Sequence, residues 1–263
     1  MKIAALVAGA LLATPVVVAT SLPAAVPAGA ASSAGTTETA AQLYRQAFAT
    51  THSWSVHYVS SSSQSDSTGS KVTLLESGDA GPASGTQSVS FRRGNVSGAI
   101  TIDVIGGITY VKGDLNGLEN LAGLSPLQAA ATAGKWIDFA TTNVAFAQVV
   151  AGVRSRDIAQ QLALSGLLTL GRPRTIHGTA VLAINGTQGS TGSGNGNGTG
   201  NGTHPRAVLY VRAHGRHLPV EEDTLTAKGQ PSGTFRVTYS NWGELVRPQA
   251  PLAAVSIGPV TTT

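Results

Sequence analysis

Apolar residues recur at two different spacings along this chain, and the change of spacing divides the sequence into segments. Over residues 37–50 they lie three and four positions apart, which is typical of one face of an α-helix. Over residues 53–60 apolar and polar residues alternate, which is typical of a half-buried β-strand. A serine-rich loop is predicted over 60–70, and further alternating runs reach residue 112. The connections are too short for parallel crossovers and predict antiparallel hairpins.

The middle of the chain returns to helical spacing. Residues 115–133 are rich in leucine and alanine, and Ser125 followed by Pro126 is typical of a helix cap and first turn. Two further helices are predicted over 143–153 and 155–164.

Alternating runs of β-branched residues begin again at residue 175 and continue to residue 240. The order of helix, strands, helices and strands predicts an α+β fold with helices covering one face of an antiparallel sheet. Roughly eight to ten strands are too many for a flat open sheet, so strong curvature is expected.

The first residues have the layout of a secretory signal. Lys2 supplies a positive charge, residues 3–13 are almost wholly apolar, and residues 28–30 are small enough for a cleavage site. Pro15 interrupts the apolar run before it reaches the ~20 residues of a membrane span. No cysteine follows the run, so no lipid anchor of the bacterial type can be attached. We expect residues 1–31 to be a signal peptide, and an uncleaved anchor helix is the alternative.

The rest of the chain is expected to form one domain over residues 37–251, after a disordered leader at 32–36. A tract of glycine, asparagine, serine and threonine at 186–203 cannot bury enough apolar surface to order itself, so a flexible loop is predicted there. The proline-containing end, residues 252–263, is predicted to be an extended tail.

Composition narrows the classes of function. The chain of 263 residues has no cysteine, which excludes disulfides and thiol chemistry. Its formal net charge is +4, but the basic residues are scattered and lack the interleaved aromatics of a single-strand nucleic-acid groove. We therefore expect no nucleic-acid partner, and we expect the charge to favour transient contact with anionic lipid or envelope polymers.

Histidines are the first candidates for chemistry. His204, His214 and His217 precede the acidic run at 221–223, and a metal site needs several such ligands to converge. Two of these histidines flank a turn around Gly215, and the third borders the flexible tract. We interpret them as solvated residues of a hairpin and predict neither a metal nor a cofactor.

Catalytic arrangements are not evident in the sequence. It has no Gly-x-Ser-x-Gly elbow, and the glycine-rich tract lacks the flanking strand and helix of a nucleotide fingerprint. Asp103, Asp114 and Asp138 show no pairing of the kind that glycoside cleavage needs. We predict structural or surface roles for them and a protein that is not an enzyme.

Apolar side chains are the remaining candidates. A curved sheet with helices across it can leave an apolar gap that binds small apolar ligands, and a filled core is the alternative. The candidate cavity residues are Val56, Tyr58, Leu74, Phe91, Ile102, Tyr110, Leu121, Trp136, Phe146, Leu162, Leu209, Phe235 and Tyr239.

Several strand segments carry a resemblance to a known family. The segments are residues 108–113, 135–137, 207–212, 215–221, with Leu218-Pro219-Val220 after a glycine, and 234–244, with Tyr239-Ser240 before Gly243. Over residues 40–251 the chain resembles the actinobacterial lipoproteins of the LppX/LprG type, related in fold to the LolA and LolB lipoprotein carriers. The cysteine that many members carry at the mature N-terminus is absent here.

This resemblance implies a half-barrel, that is, a strongly curved antiparallel sheet with helices packed on its concave face. It also implies an apolar cavity for the acyl chains of envelope lipids, and it brings no catalytic residues. We therefore expect a secreted, monomeric lipid- or amphiphile-binding protein without a lipid anchor. The alternative is an envelope interaction or sensory domain whose core is filled.

Overall fold

The computed structural model describes residues 38–65, 69–143, 149–188, 206–225 and 233–257. Within these ranges the helices are α1 (Ala40–Ser53), α2 (Leu115–Asn120), α3 (Pro126–Thr132) and α4 (Ser155–Gln161). The strands are β1 (Val56–Ser65), β2 (Lys71–Ala80), β3 (Gly85–Arg93), β4 (Val96–Ile105), β5 (Ile108–Gly113), β6 (Ile137–Ala140), β7 (Leu164–Leu170), β8 (Arg174–Ile176), β9 (Thr179–Gln188), β10 (Arg206–Arg212), β11 (Pro219–Leu225), β12 (Thr234–Ser240) and β13 (Val255–Ser256).

All of these strands belong to one sheet. Its order is β13-β6-β5-β4-β3-β2-β1-β12-β11-β10-β9-β7, and β8 pairs with β9. The pairings are antiparallel except for the short parallel pair of β13 and β6. The two ends of the order do not meet, so the sheet is curved but not closed. The prediction of an α+β fold built on a large, mostly antiparallel, curved sheet is confirmed.

Local sequence explains where the helices begin. Thr39 and Ser125 each cap a helix, and each accepts a hydrogen bond from the backbone N–H of a glutamine three residues later. The side-chain oxygens of Gln42 and Gln128 in turn accept a hydrogen bond from the backbone N–H of the cap residue. Each helix therefore begins with a capping box. Ser125 is the cap that the sequence predicts.

Two predicted segments differ from the structure. Residues 60–65 continue β1 instead of forming a loop, because this stretch pairs with β2 on one side and with β12 on the other. Serines are poor indicators of strands on their own, and the pairing on both sides outweighs that tendency. Of the helix predicted over 143–153, residues 149–153 form turns, and 144–148 lie outside the described residues.

The predicted flexible loop and the predicted tail each include residues that form a strand. β9 continues to Gln188, so the first residues of the predicted loop are a strand, and 189–205 lie outside the described residues. Within the predicted tail, Val255 and Ser256 form β13 against β6. The predicted signal peptide and leader also lie outside the described residues.

The buried residues form two large hydrophobic clusters on one face of the sheet. The α2–α3 cluster joins both of these helices and residues 149–153 to strands β2 to β6. The α1–α4 cluster joins the other two helices to β1, β7, β9, β10 and β12. A smaller third cluster, centred on Val181 and Tyr210, involves β8 to β11. Helices of both large clusters therefore cover the face of the sheet that carries the core.

Candidate ligand-binding site

A row of polar residues crosses the buried face between the two large clusters. The strand register places Glu76 opposite Ser60, Ser60 opposite Val237, and Val237 opposite Glu222. The two glutamates are thus three strand spacings apart, about 14 Å at about 4.8 Å per spacing. Val89 extends the row into the α2–α3 cluster, and Leu209 extends it into the α1–α4 cluster.

A second polar row lies beside the first. Gln87 pairs with Gly78, Gly78 with Tyr58, and Tyr58 with Tyr239. Thr224 follows Glu222 by two positions on β11 and therefore shares its face. We call these residues the polar band: Tyr58, Ser60, Glu76, Gln87, Glu222, Thr224 and Tyr239.

Gly78 allows the second row to form. A Cβ atom at this position would lie 2.4 Å from the Thr86 carbonyl oxygen and 3.0 Å from the Tyr58 ring. Only a residue without a side chain lets the tyrosine ring lie across β2 at this distance. The position of Tyr58 within the polar band therefore depends on a glycine of the neighbouring strand.

The two carboxyl groups of the polar band are unusual acids. Glu222 is 1% exposed, and the Tyr239 hydroxyl donates a hydrogen bond to its Oε2 atom at 3.5 Å. Burial raises the pKa of the Glu222 carboxyl to about 8 and that of the Glu76 carboxyl to about 7. No cation of the described residues opposes either rise. At neutral pH Glu222 is therefore mostly protonated and can donate a hydrogen bond.

Three buried polar atoms of the band have no hydrogen-bond partner among the described residues. They are the Oε1 atom of Glu222, the hydroxyl of Thr224 and the hydroxyl of Tyr58. The Gln87 amide lies beside the tyrosine hydroxyl without an ordinary hydrogen bond to it. About nine in ten buried polar groups in proteins are paired, and leaving one unpaired costs roughly 1–3 kcal/mol. Buried water molecules or a bound ligand can complete the hydrogen bonds of such atoms.

Most of the apolar residues predicted to line a cavity lie in the two clusters that flank the polar band. The α1–α4 cluster contains Val56, Tyr58, Leu162, Leu209 and Tyr239, with Phe235 half-buried against it. The α2–α3 cluster contains Leu74, Phe91, Ile102 and Leu121.

Three predicted residues are placed differently. Tyr110 alternates along β5 with the buried residues Thr109 and Val111, so it lies on the opposite face of the sheet. Trp136 is half-buried just before β6 and belongs to neither cluster. Phe146 lies outside the described residues.

Of the polar band, Tyr58 and Tyr239 were predicted as site residues, and the other five members were not. Sequence reasoning placed Glu76 in an ordinary alternating strand and grouped Glu222 with possible metal ligands. One signal was available for Glu76, because it shares an alternation with the buried residues Val72 and Leu74. A carboxylate at a core position of a strand is uncommon enough to indicate a special environment.

One histidine and two of the acids that were considered as metal ligands contact other groups. His217 places Nε2 3.0 Å from a carboxylate oxygen of Glu38 and Nδ1 2.9 Å from the Arg212 carbonyl oxygen. Arg174 pairs with Glu221 at 3.4 Å. Arg236 pairs with Asp223 at 2.7 Å. The described part of the chain contains no cluster of three possible metal ligands, and His204 lies outside it.

Two of the three aspartates that were considered as catalytic acids have structural contacts. Asp114 caps α2 by accepting a hydrogen bond from the Gly117 N–H at 2.6 Å, and it accepts another from Ala99 N–H at 3.0 Å. Asp138 accepts a hydrogen bond from the Ser256 hydroxyl at 2.9 Å. Asp103 faces Tyr110 across the β4–β5 pair.

In the ranges that the structure describes, no helix has the length and hydropathy to cross a membrane.

Comparison with known proteins gives structural similarity without sequence similarity. No protein-family model and no curated protein matches the sequence. The crystal structure of LprF from Mycobacterium bovis matches with 14% identity and a TM-score of 0.49, over 81% of this chain and 96% of that chain. The lipoprotein LppX from Mycobacterium tuberculosis matches with 16% identity and a TM-score of 0.45, over 78% and 95%.

Proposed function

We propose that this protein is a lipid carrier that works outside the cytoplasm and is not an enzyme. In this proposal the buried face of the sheet is concave and the helices lie across it. The acyl chains of an envelope lipid lie between the helices and the sheet. The polar band contacts the polar part of the lipid, where the acyl chains are joined.

The observation that supports the proposal is the set of buried atoms on Tyr58, Glu222 and Thr224 that have no hydrogen-bond partner among the described residues. A core that is filled by its own side chains would be expected to pair them or to replace them with apolar groups. Protonated Glu222 and the Thr224 hydroxyl can both donate a hydrogen bond. The matching ligand group is an acceptor such as an ester carbonyl or a hydroxyl oxygen.

The surroundings suit an amphiphile. The two apolar clusters meet at the polar band, and Tyr58 and Tyr239 of the band belong to the α1–α4 cluster. A ligand with a central polar group and apolar chains would therefore meet matching surfaces. Each buried methylene contributes about 0.8 kcal/mol. About ten buried methylenes would contribute about 8 kcal/mol before ordering costs, which is the free energy of micromolar binding.

The polar band also lacks the features of a catalytic site. Glu222 is held by Tyr239, and no described histidine, lysine or arginine acts on it as a base or charge partner. A hydrolase would need a nucleophile beside a base and a group that orients that base. We therefore propose that bound lipid is carried and released unchanged.

The test is to place a larger apolar side chain at the polar band, where the proposal puts the ligand, without adding charge. Ser60 is buried between Glu76 and Val237, so Ser60→Leu places a larger side chain there. If the space holds ligand, the variant keeps its thermal stability and loses lipid detected by native mass spectrometry and solvent extraction. Ser61→Leu is the matched control, because Ser61 is exposed on the other face of the same strand.

Two results would contradict the proposal. One is wild-type protein that takes up no lipid after incubation with envelope lipid extract. The other is Ser60→Leu protein that is destabilised by about 1–3 kcal/mol, which is the effect of overpacking a filled core. The second result would favour an interaction or sensory domain with a solid interior.

A further inference from the structure

A groove rich in arginine and tryptophan lies at one end of the sheet, away from the polar band. Its volume is about 540 Å³, and its lining residues are Trp54, Arg212, His214, Gly215, Arg216, Leu218, Asn241 and Trp242. They come from the start of β1, the end of β12 and the turn between β10 and β11. None of the lining residues is acidic.

The cations of the groove have no carboxylate partner among the described residues, unlike several other arginines. Arg154, Arg174 and Arg236 each form an ion pair with an aspartate or glutamate. Arg216 instead lies over the Trp54 ring, with its guanidinium carbon 4.5 Å from the ring centroid. Stacking of this kind uses the flat face of the guanidinium and leaves its in-plane N–H groups available to an anion.

The walls of the groove are fixed by hydrogen bonds. The Trp242 indole N–H donates to the Pro219 carbonyl oxygen at 3.0 Å, and Gly243 N–H donates to the Ser55 carbonyl oxygen at 2.9 Å. The Ser55 hydroxyl donates to the Glu244 carbonyl oxygen. These bonds hold residues 241–244 against the start of β1, so the groove is formed before any ligand arrives.

An exposed apolar residue follows the groove residue Trp242 three positions later in the chain. Leu245 is 73% exposed and follows the segment that packs on Trp54. Glu244, the carboxylate of this segment, does not line the groove. Arginine, tryptophan and an exposed leucine together match the interface of a bilayer, where anionic headgroups lie above apolar chains.

We propose that this end of the sheet docks on an anionic membrane surface, with lipid phosphate groups bound by Arg212 and Arg216 and with Leu245 entering the bilayer. A soluble anion would use the arginines but would not need the exposed leucine. The docking surface is separate from the polar band. Its test therefore stands whether or not the interior carries a lipid.

The experiment compares co-sedimentation with two kinds of vesicle, one of phosphatidylcholine alone and one containing one third phosphatidylglycerol. Wild-type protein is expected to bind the anionic vesicles more tightly. The double variant Arg212→Gln/Arg216→Gln is expected to bind them about 30-fold more weakly. Leu245→Asn is expected to weaken binding while leaving its salt dependence unchanged, because it removes only the apolar contribution.

The control removes the same charge elsewhere. Arg92→Gln/Arg93→Gln changes two basic residues at the opposite end of the sheet, where β3 ends. This variant is expected to bind anionic vesicles nearly as well as wild type. Equal losses in the two double variants would show a general charge effect and overturn the proposal.

A second experiment distinguishes binding to a membrane from binding to a free anion. Inorganic phosphate is added at the concentration of the accessible lipid phosphate. Continued vesicle binding supports a membrane docking surface. Complete displacement by phosphate alone, or wild-type protein that does not prefer anionic vesicles, would overturn it. Unchanged circular dichroism and thermal midpoint of each variant establish that the surface substitutions leave the fold intact.

Discussion

At the scale of the residue, Glu222 is the group whose chemistry departs furthest from its usual behaviour. An isolated glutamate ionises well below neutral pH, yet burial raises the pKa of this one to about 8. The folded protein therefore holds a proton that the unfolded chain releases. This difference connects the ionisation of one carboxyl group to the stability of the whole fold.

Replacement of Glu222 by glutamine is expected to flatten the pH dependence of stability. Because the folded pKa of Glu222 is about 8 and its ordinary value is 4.5, its stabilising contribution is complete below about pH 4.5. The contribution is lost as the pH rises to about 8, by about 1.4 kcal/mol per pH unit between the two values. Glutamine cannot ionise, so this part of the slope should disappear, while the part due to Glu76 remains.

Urea unfolding of wild type and Glu222→Gln at several pH values measures this difference directly. Glu244→Gln is the control, because Glu244 is exposed and its side chain lies outside the polar band. The control should keep the wild-type slope. If Glu222→Gln also keeps it, Glu222 is ionised in the folded protein and cannot donate a hydrogen bond at neutral pH.

At the scale of the element, sequence periodicity predicts helices and hairpins between neighbouring segments. It does not predict contacts between strands that are far apart in the sequence. The hairpins from β2 to β5 follow from alternation and short turns, and the cap of α3 follows from Ser125 and Pro126. The polar band does not follow, because its rows exist only when β1 pairs with β12, a strand about 180 residues later. Tyr110, which was predicted as a cavity residue, lies on the opposite face of the sheet for a related reason. Residues 108–111 are apolar or β-branched on both faces, so alternation alone does not say which face is buried.

Gly78 lets β2 pack closely against β3 and against the Tyr58 ring of the polar band. Gly78→Ala tests this packing. The added Cβ atom would meet the Thr86 carbonyl oxygen at 2.4 Å, so β2 and β3 must separate and Tyr58 must move. We expect destabilisation of about 1–3 kcal/mol, as for other overpacked sites, and a loss of lipid occupancy. The control Ser77→Ala removes a half-buried hydroxyl on the neighbouring position of the same strand. Thermal unfolding with native mass spectrometry measures both effects. Equal stability of Gly78→Ala and wild type would show that the strands are not this close.

At the scale of the molecule, the segment after β12 joins the two halves of the core. It begins beside Trp54, where the groove proposed for membrane docking is formed, and its Val246 carbonyl oxygen accepts a hydrogen bond from the Ser84 hydroxyl. Its far end forms β13 against β6, and Ile257 packs on the α2–α3 cluster. A single segment thus contacts the α1–α4 side and the α2–α3 side of the sheet. Its last strand also covers the edge that β6 would otherwise expose.

Breaking β13 is therefore expected to uncover a sheet edge. The Val255 N–H donates to the Trp136 carbonyl oxygen at 2.9 Å, and proline at this position cannot donate. Val255→Pro should lower the thermal midpoint modestly and leave the β6 backbone free to pair with another chain. Light scattering coupled to size exclusion should then show association that increases with protein concentration more steeply than for wild type. Ala253→Pro, at an exposed position before β13, controls for proline itself. If Val255→Pro remains monomeric at every concentration, β13 does not protect this edge, and the segment acts only as a link between the two sides of the core.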